Sequence, residues 1–240
     1  MNKLYAVGLG PGDPELITLK AIKILKNVDK IIVPESNLKG RSLANDIIID
    51  YVDKYKIETF YFPMNNNRMQ LDEKYSNLVE KIVNIMNNNK TVAYVTIGDS
   101  TIYSTFNYLW LKLRKYNIEV EFIPGIPSFI AVSNILHIPL TLKNENLCLI
   151  EMPENHDILL QYIKCFNTII IMKIYKRIQI LLDFIKANKD LIEEAFMVER
   201  ATLKGQNIVN LRQFDKIICK QTYLSTAVIK TRNYGKIRGY

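Results

Sequence analysis

The sequence predicts an α/β protein made of two α/β domains. Short runs rich in Val, Ile, Tyr and Phe alternate with longer segments whose apolar residues recur at helical spacing. That order builds a parallel sheet covered by helices. A glycine-rich turn, Gly8-Leu9-Gly10-Pro11-Gly12-Asp13-Pro14, separates the first strand-like run from the first helix-like one. Such a turn usually builds a small-molecule site, because backbone can approach a ligand where no side chain intervenes. Pro124-Gly125-Ile126-Pro127 breaks the chain near its middle, and Pro-Gly pairs interrupt regular structure. The boundary is set there, giving domains over 1–123 and 124–240, and 240 residues suffice for two cores.

In the first half, strands are expected at 4–8, 30–34, 57–62, 91–97 and 118–123, and helices at 14–27, 41–53, 70–88 and 101–116. Leu16, Leu19, Ile22 and Leu25 share one face of the first helix, with Asp13 as its cap and Pro14 at its first position. Phe106 and Trp110 lie four apart on the fourth helix and read as core. After the break a helix is expected at about 127–136. Strands follow near 146–151, 168–173, 194–199 and 222–230, with helices near 156–165 and 176–188.

Composition narrows the function. The chain is 48% hydrophobic, ordinary for a globular protein. Its longest apolar runs, such as 168–172, are far too short to span a membrane. No apolar signal core follows the amino terminus. A cytoplasmic protein with no membrane partner is expected. Cys148, Cys165 and Cys219 share no metal-like spacing, so packed, reduced thiols are expected and no metal site. His137 lies at a helix end, where it packs or caps, and His156 lies in a polar, solvated loop. The net charge of +8 suits nucleic acid, an acidic membrane surface or an acidic small substrate, or simply reflects a Lys-rich composition. The positive residues are scattered and form no aromatic-basic RNA motif, so no nucleic-acid partner is expected.

The first loop is badly built for a dinucleotide. Asp13 stands where the third glycine would be and would repel a pyrophosphate, and Pro11 removes a backbone donor. A second strand, 92–97, runs into Gly98-Asp99-Ser100-Thr101 and then a helix. Ligands in open α/β sheets sit at the carboxyl ends of strands, so the two glycine turns are expected to face one cleft. Asp99 fits two roles there: it accepts hydrogen bonds from ribose hydroxyls or an ammonium group, or it caps a helix starting near Ser100. A third strand-to-helix turn, Val120 to Phe129, carries Pro124-Gly125 and places Ser128 early in its helix. Taken alone it also reads as an ordinary interdomain turn.

Together, Gly-x-Gly-Pro-Gly-Asp-Pro near the amino terminus, Gly-Asp-x-x-x-Tyr-Ser-Thr near 100 and Pro-Gly-x-x-Ser near 125 resemble the tetrapyrrole (class III) methyltransferases of cobalamin and sirohaem synthesis. Phe62-Pro63-Met64 and the run Tyr103 to Leu109 look most like those that methylate carbon 20 of precorrin-2 or cobalt-factor II. The resemblance implies two α/β domains with a cofactor cleft between them, S-adenosylmethionine in that cleft, and a homodimer. It places cofactor contacts at Pro11, Gly98, Asp99, Tyr103, Pro127, Ser128 and Met172, and more loosely at Ala201, Thr226 and Ala227. Two positions depart from the family pattern: Ser100 stands where proline is usual, and Pro127 where Ser or Thr is usual.

The implied substrate carries eight carboxylates, which suits the positive balance, since Arg and Lys bind carboxylates by charge-assisted hydrogen bonds. Gly10, Gly12, Asp13 and Arg41 are expected on the substrate side, and Lys20, Lys173 and Arg200 are further carboxylate candidates. Asp13 and Glu35 are weak candidates for a base that removes the proton of the methylated carbon. Glu35, at the end of the second strand, reads equally as a solvated loop residue. The same cofactor could serve another acceptor: uroporphyrinogen III, another corrin position or ribosomal RNA. Of a different class, a nicotinamide-dependent oxidoreductase would use the first loop as a dinucleotide turn, against which Pro11 and the absent third glycine count.

Overall fold

Five strands, all parallel, make the first sheet. The computed structural model describes residues 3–35, 42–63, 67–213 and 224–232, and the chain divides into units of 1–127 and 128–240. In the first unit β1 (Lys3–Gly8), β2 (Lys30–Glu35), β3 (Ile57–Tyr61), β4 (Val92–Thr96) and β5 (Glu119–Ile123) stand in the order β3-β2-β4-β1-β5. Every pairing is parallel.

Alternation along the strands sends neighbouring residues to opposite faces. Val7, Ala93 and Val95 join a core with α1 (Leu19–Asn27) and α2 (Leu43–Ile48) on one face. Leu4, Ala6, Val92 and Tyr94 join a core with α3 (Arg68–Asn87) and α4 (Thr105–Leu113) on the other. With helices on both faces, β4 is buried from Val92 to Val95, as a doubly covered strand must be, and only its last residue, Thr96, is part-exposed. Phe106 is fully buried, and Trp110 packs edge-on against Phe122.

The expected helix at 14–27 is corrected. Pro14–Leu16 forms a single 3-10 turn, Ile17 is extended, and α1 starts only at Leu19. Ile17 turns into the core and is buried, which interrupts the run. Thr18, not Asp13, caps α1 by accepting from the Ala21 N–H at 3.2 Å, while Asp13 caps only the short turn, accepting from the Glu15 N–H. The helix expected at 101–116 also begins later, at Thr105, because Ser104 caps it by accepting from the Phe106 N–H at 3.0 Å. The helix expected at 41–53 is confined to α2 among the described residues.

The second unit begins with α5 (Ser128–Leu136) and continues through β6 (Leu147–Glu151), α6 (His156–Cys165), β7 (Thr168–Met172), α7 (Ile178–Ala187), β8 (Ile192–Glu199), β9 (Asn207–Asn210) and β10 (Ser225–Thr231). The sheet order is β6-β7-β10-β8-β9. β6 and β7 are parallel, whereas β10 runs antiparallel to β7 and β8. β9 has no counterpart in the sequence expectation, since Asn-Ile-Val-Asn offers only two apolar residues. It forms the edge of the sheet. All seven residues of β10 are buried. They include Lys230, whose ammonium donates to Thr168 Oγ1 at 2.7 Å and lies 3.6 Å from a Glu145 carboxylate oxygen.

Among the thiols, Cys148 is half-buried but Cys165 is exposed, so packing fails as an explanation for Cys165, and Cys219 lies outside the described residues. His137 is exposed at φ +55° just past α5, the left-handed position at which helices end. His156 is exposed but tied down: its Nε2 lies 3.0 Å from the Ile180 carbonyl oxygen and its ring packs on Phe184. Among the described residues no helix is long and apolar enough to cross a membrane, and no cluster of three His, Cys, Asp or Glu could hold a metal.

Candidate functional site

The loops leaving β1, β4 and β5 meet at three glycines. A Cβ on Gly8 would lie 2.5 Å from Gly125 N and 2.8 Å from Gly98 O. A Cβ on Gly125 would lie 2.7 Å from Gly8 C and closer still to Gly98 O. The glycines at these strand ends therefore let chain approach chain. The Gly98 N–H donates to Gly10 O at 2.7 Å, and the Gly10 N–H returns to Gly98 O at 3.2 Å. This bridge needs Gly10 at φ +84°, a conformation that only glycine adopts without strain. Pro11 and Gly12 follow it and are buried.

Asp99 fastens the second loop to the third. One carboxylate oxygen accepts from the Thr101 N–H at 2.8 Å and from the Thr101 hydroxyl at 2.5 Å. The other accepts from the Gly125 N–H at 2.9 Å. Partial burial pushes the Asp99 carboxyl pKa up, but the bonds from Thr101 and Gly125 outweigh it and hold the group below its ordinary 3.8. The carboxylate is thus charged at neutral pH and loses these bonds only as pH falls through that lowered value, so the fastening contributes fully above pH 3.8 and fades below it. Asp99→Ala is expected to lower stability by about 1–3 kcal/mol, measured by urea denaturation at pH 7. An unchanged midpoint would mean that the three loops hold together without the carboxylate.

Ser100, the next residue, is only 1% exposed. Its Oγ is the one buried side-chain oxygen or nitrogen among the described residues with no hydrogen-bond partner in the protein. Other hydroxyls of β4 and the start of α4 are paired: Thr96 with Ser104 at 3.3 Å and Tyr94 with Thr105 at 2.9 Å. Tyr103 is 40% exposed and held at φ +47°, strained for a bulky residue. An orphaned hydroxyl beside strained backbone at a strand end suits a group that a ligand completes. Glu35 lies half-buried at the carboxyl end of β2, and its backbone carbonyl accepts from the Phe62 N–H at 2.7 Å. Arg41 and Met64 lie outside the described residues.

In the second unit, Met172 at the end of β7 pairs with Thr226 of β10, and Ala227 pairs with Ile171. Ser128, the first residue of α5, has its Oγ 3.3 Å from Thr226 Oγ1. Ala201 is buried directly after β8, where the Arg200 N–H donates to Leu224 O at 2.7 Å, immediately before β10. Ser128, Met172, Thr226 and Ala227 therefore share one neighbourhood, with Ala201 close to the start of β10. Three non-glycine residues here, Lys173, Arg200 and Thr202, have φ between +51° and +65°.

The side chains named for carboxylates are partly engaged within the protein. Lys20 pairs with Glu121 at 2.6 Å, Lys173 lies 3.7 Å from Glu151, and Arg200 Nε donates to Lys204 O. Sequence reasoning gave Thr101 no role, and it placed Ser104 and Gly8 within the motifs without assigning them one. Thr101 and Ser104 carry a readable signal, a hydroxyl residue two after an Asp and one just before an apolar helical run. Gly8 shows its need only once the loops converge.

The family model described as Tetrapyrrole (Corrin/Porphyrin) Methylases matches residues 3–215. A probable cobalt-precorrin-2 C(20)-methyltransferase of Methanocaldococcus jannaschii is 42% identical over 232 residues, 96% of this chain and 96% of that one. A cobalt-precorrin-2 C(20)-methyltransferase of Salmonella typhimurium is 29% identical over 85% of this chain and 86% of its own. Among solved structures, a cobalt-precorrin-4 methyltransferase superposes with a TM-score of 0.74 at 20% identity, covering 95% of this chain and 94% of that one. A uroporphyrin-III C-methyltransferase from Thermus thermophilus, complexed with S-adenosylhomocysteine, superposes with a TM-score of 0.66 at 18% identity, over 95% and 97%.

Proposed function

Because the chain belongs to the tetrapyrrole (corrin/porphyrin) methylases, we propose that it transfers the methyl group of S-adenosylmethionine to carbon 20 of a precorrin-2-type tetrapyrrole, in cobalamin synthesis. Identity of 42% over 96% of each chain, to a relative named for that reaction, carries the assignment. Both relatives named for this position act on the cobalt form, which favours a cobalt-bearing acceptor.

The donor supplies a methyl group already activated by its sulfonium charge, and the electron-rich macrocycle supplies the carbon nucleophile. The task left to the chain is positioning, and holding reacting atoms in line can contribute roughly 7–11 kcal/mol. Pro11, Gly98, Asp99, Tyr103 and Pro127 of the first unit, and Ser128, Met172, Ala201, Thr226 and Ala227 of the second, are proposed to hold the donor. In this reading Asp99 also fastens the loops, one oxygen accepting from Thr101 and the other from Gly125. A cationic donor without phosphates suits a loop that lacks the Pro11 N–H and carries Asp13. Gly10, Gly12, Asp13 and Arg41 are proposed on the acceptor side, and Asp13 and Glu35 stand as candidate acceptors of the carbon-20 proton. Following the family resemblance, the enzyme is proposed to work as a cytoplasmic homodimer with no nucleic-acid or membrane partner.

Calorimetry with S-adenosylmethionine and with NAD, followed by incubation with cobalt-bound and metal-free factor II, tests this reading. The expected result is donor binding, no NAD binding, and one methyl gained by the cobalt-bound acceptor in mass spectrometry. NAD binding without donor binding would overturn it, and methylation of uroporphyrinogen III or RNA alone would overturn the acceptor.

A further inference from the structure

We infer that the Ser100 hydroxyl is a binding group for S-adenosylmethionine, donating it a hydrogen bond. This rests on the proposed use of that donor. The polar groups of the second loop sort themselves by what they already touch. Asp99 accepts from Thr101 at one oxygen and from Gly125 at the other, and the Thr101 hydroxyl donates its one proton to Asp99. The Ser104 and Thr96 hydroxyls pair with each other. Ser100 is left, and its Oγ is orphaned while the residue is 1% exposed.

A buried hydroxyl without a partner destabilises by about 1–3 kcal/mol, and native proteins keep few of them. One that persists at a strand end, where open α/β sheets bind ligands, calls for a partner from outside the chain.

Because Ser100 is covered, the contact forms only when residues 98–104 shift, and Tyr103, held at φ +47° three residues on, marks where that segment is already strained. The acceptor on the ligand is an oxygen of the ribose or of the amino-acid carboxylate, or a ring nitrogen of the adenine. The methyl and sulfonium accept no hydrogen bond, so Ser100 binds the donor without touching the reacting carbon.

The test compares wild type with Ser100→Ala and the near-isosteric Ser100→Cys. Calorimetric titration with S-adenosylhomocysteine reads affinity, and thermal unfolding without ligand reads stability. Both variants are expected to bind about threefold to tenfold more weakly, the value of one net hydrogen bond. Their ligand-free melting temperatures should be equal to or above that of wild type, because an unsatisfied buried group is gone. Unchanged affinity in both variants would overturn the inference. So would weaker binding that tracks a lowered ligand-free melting temperature, since the hydroxyl would then be structural. Wild type that binds neither S-adenosylmethionine nor S-adenosylhomocysteine would sink the proposed function instead, a different result from wild type binding with all three proteins equal.

Discussion

Gly125→Ala is expected to destabilise the protein by at least about 3 kcal/mol, beyond the usual 1–3 kcal/mol of an overpacked core site. The added methyl would sit 2.7 Å from Gly8 C and 2.8 Å from Gly8 Cα, and nearer still to the Gly98 carbonyl oxygen. All three obstacles are backbone, so no rotamer change relieves them. The loop after β5 would have to lift away from those after β1 and β4, pulling the Gly125 N–H off Asp99. A loss of that size is a large part of the 5–15 kcal/mol that holds a typical protein folded. Ligand binding should fall with it. Gly98→Ala is the informative control. Gly98 lies at φ +77°, but its Cβ would meet nothing closer than Pro127 Cα at 3.9 Å, so it should lose only the roughly 1–2 kcal/mol of left-handed strain. Urea denaturation of both variants checks the order. Gly98→Ala proving the more damaging would mean that conformation, not crowding, selects these glycines.

That contrast marks how far the chain could be read without coordinates. Where one residue type answers one local demand, the reading carried over. The Val and Ile runs of β1, β2 and β4 are buried on both faces, and they emerge as the centre of a parallel sheet. The motif residues around Gly98, Asp99 and Gly125 are brought to one point. What could not be read is competition between neighbours. Asp13-Pro14 is a sound helix start, but Thr18 caps better once Ile17 has turned into the core. Asp99 before Ser100 also reads as a cap, yet its second oxygen reaches the Gly125 N–H, 26 residues away in sequence, which no local pattern reports. Ser100 registers in the sequence only as a departure from a family pattern. Its interest lies in being buried without a partner, and burial is a property of the fold. β9 has too little apolar content to announce itself and exists because β8 offers it an edge.

Lys230 gives the second large effect, at a charged residue that the fold buries. It follows the apolar run Ala227-Val228-Ile229, and it is 2% exposed on the central strand of the second sheet. Its ammonium donates to Thr168 Oγ1 and to the Leu140 carbonyl, and Glu145 lies 3.6 Å away with a side chain that is itself 3% exposed. Burial pushes the Lys230 pKa down, and the Glu145 charge opposes that shift. Glu145 also accepts from the Leu142 N–H at 2.9 Å, so the pair fixes the 140–146 connection onto β7 and β10. Removing one charge strands the other away from water, which typically costs 3–5 kcal/mol. Lys230→Met is therefore expected to destabilise by about that much. The double variant Lys230→Met, Glu145→Gln should recover part of the loss, because a neutral glutamine keeps an acceptor for Leu142 and leaves no unpaired charge. A double-mutant cycle by chemical denaturation measures the coupling, which should exceed 0.5 kcal/mol for groups in one network. Strictly additive losses would show that Lys230 is held by Thr168 and Leu140 alone, and that Glu145 serves only to anchor its own loop.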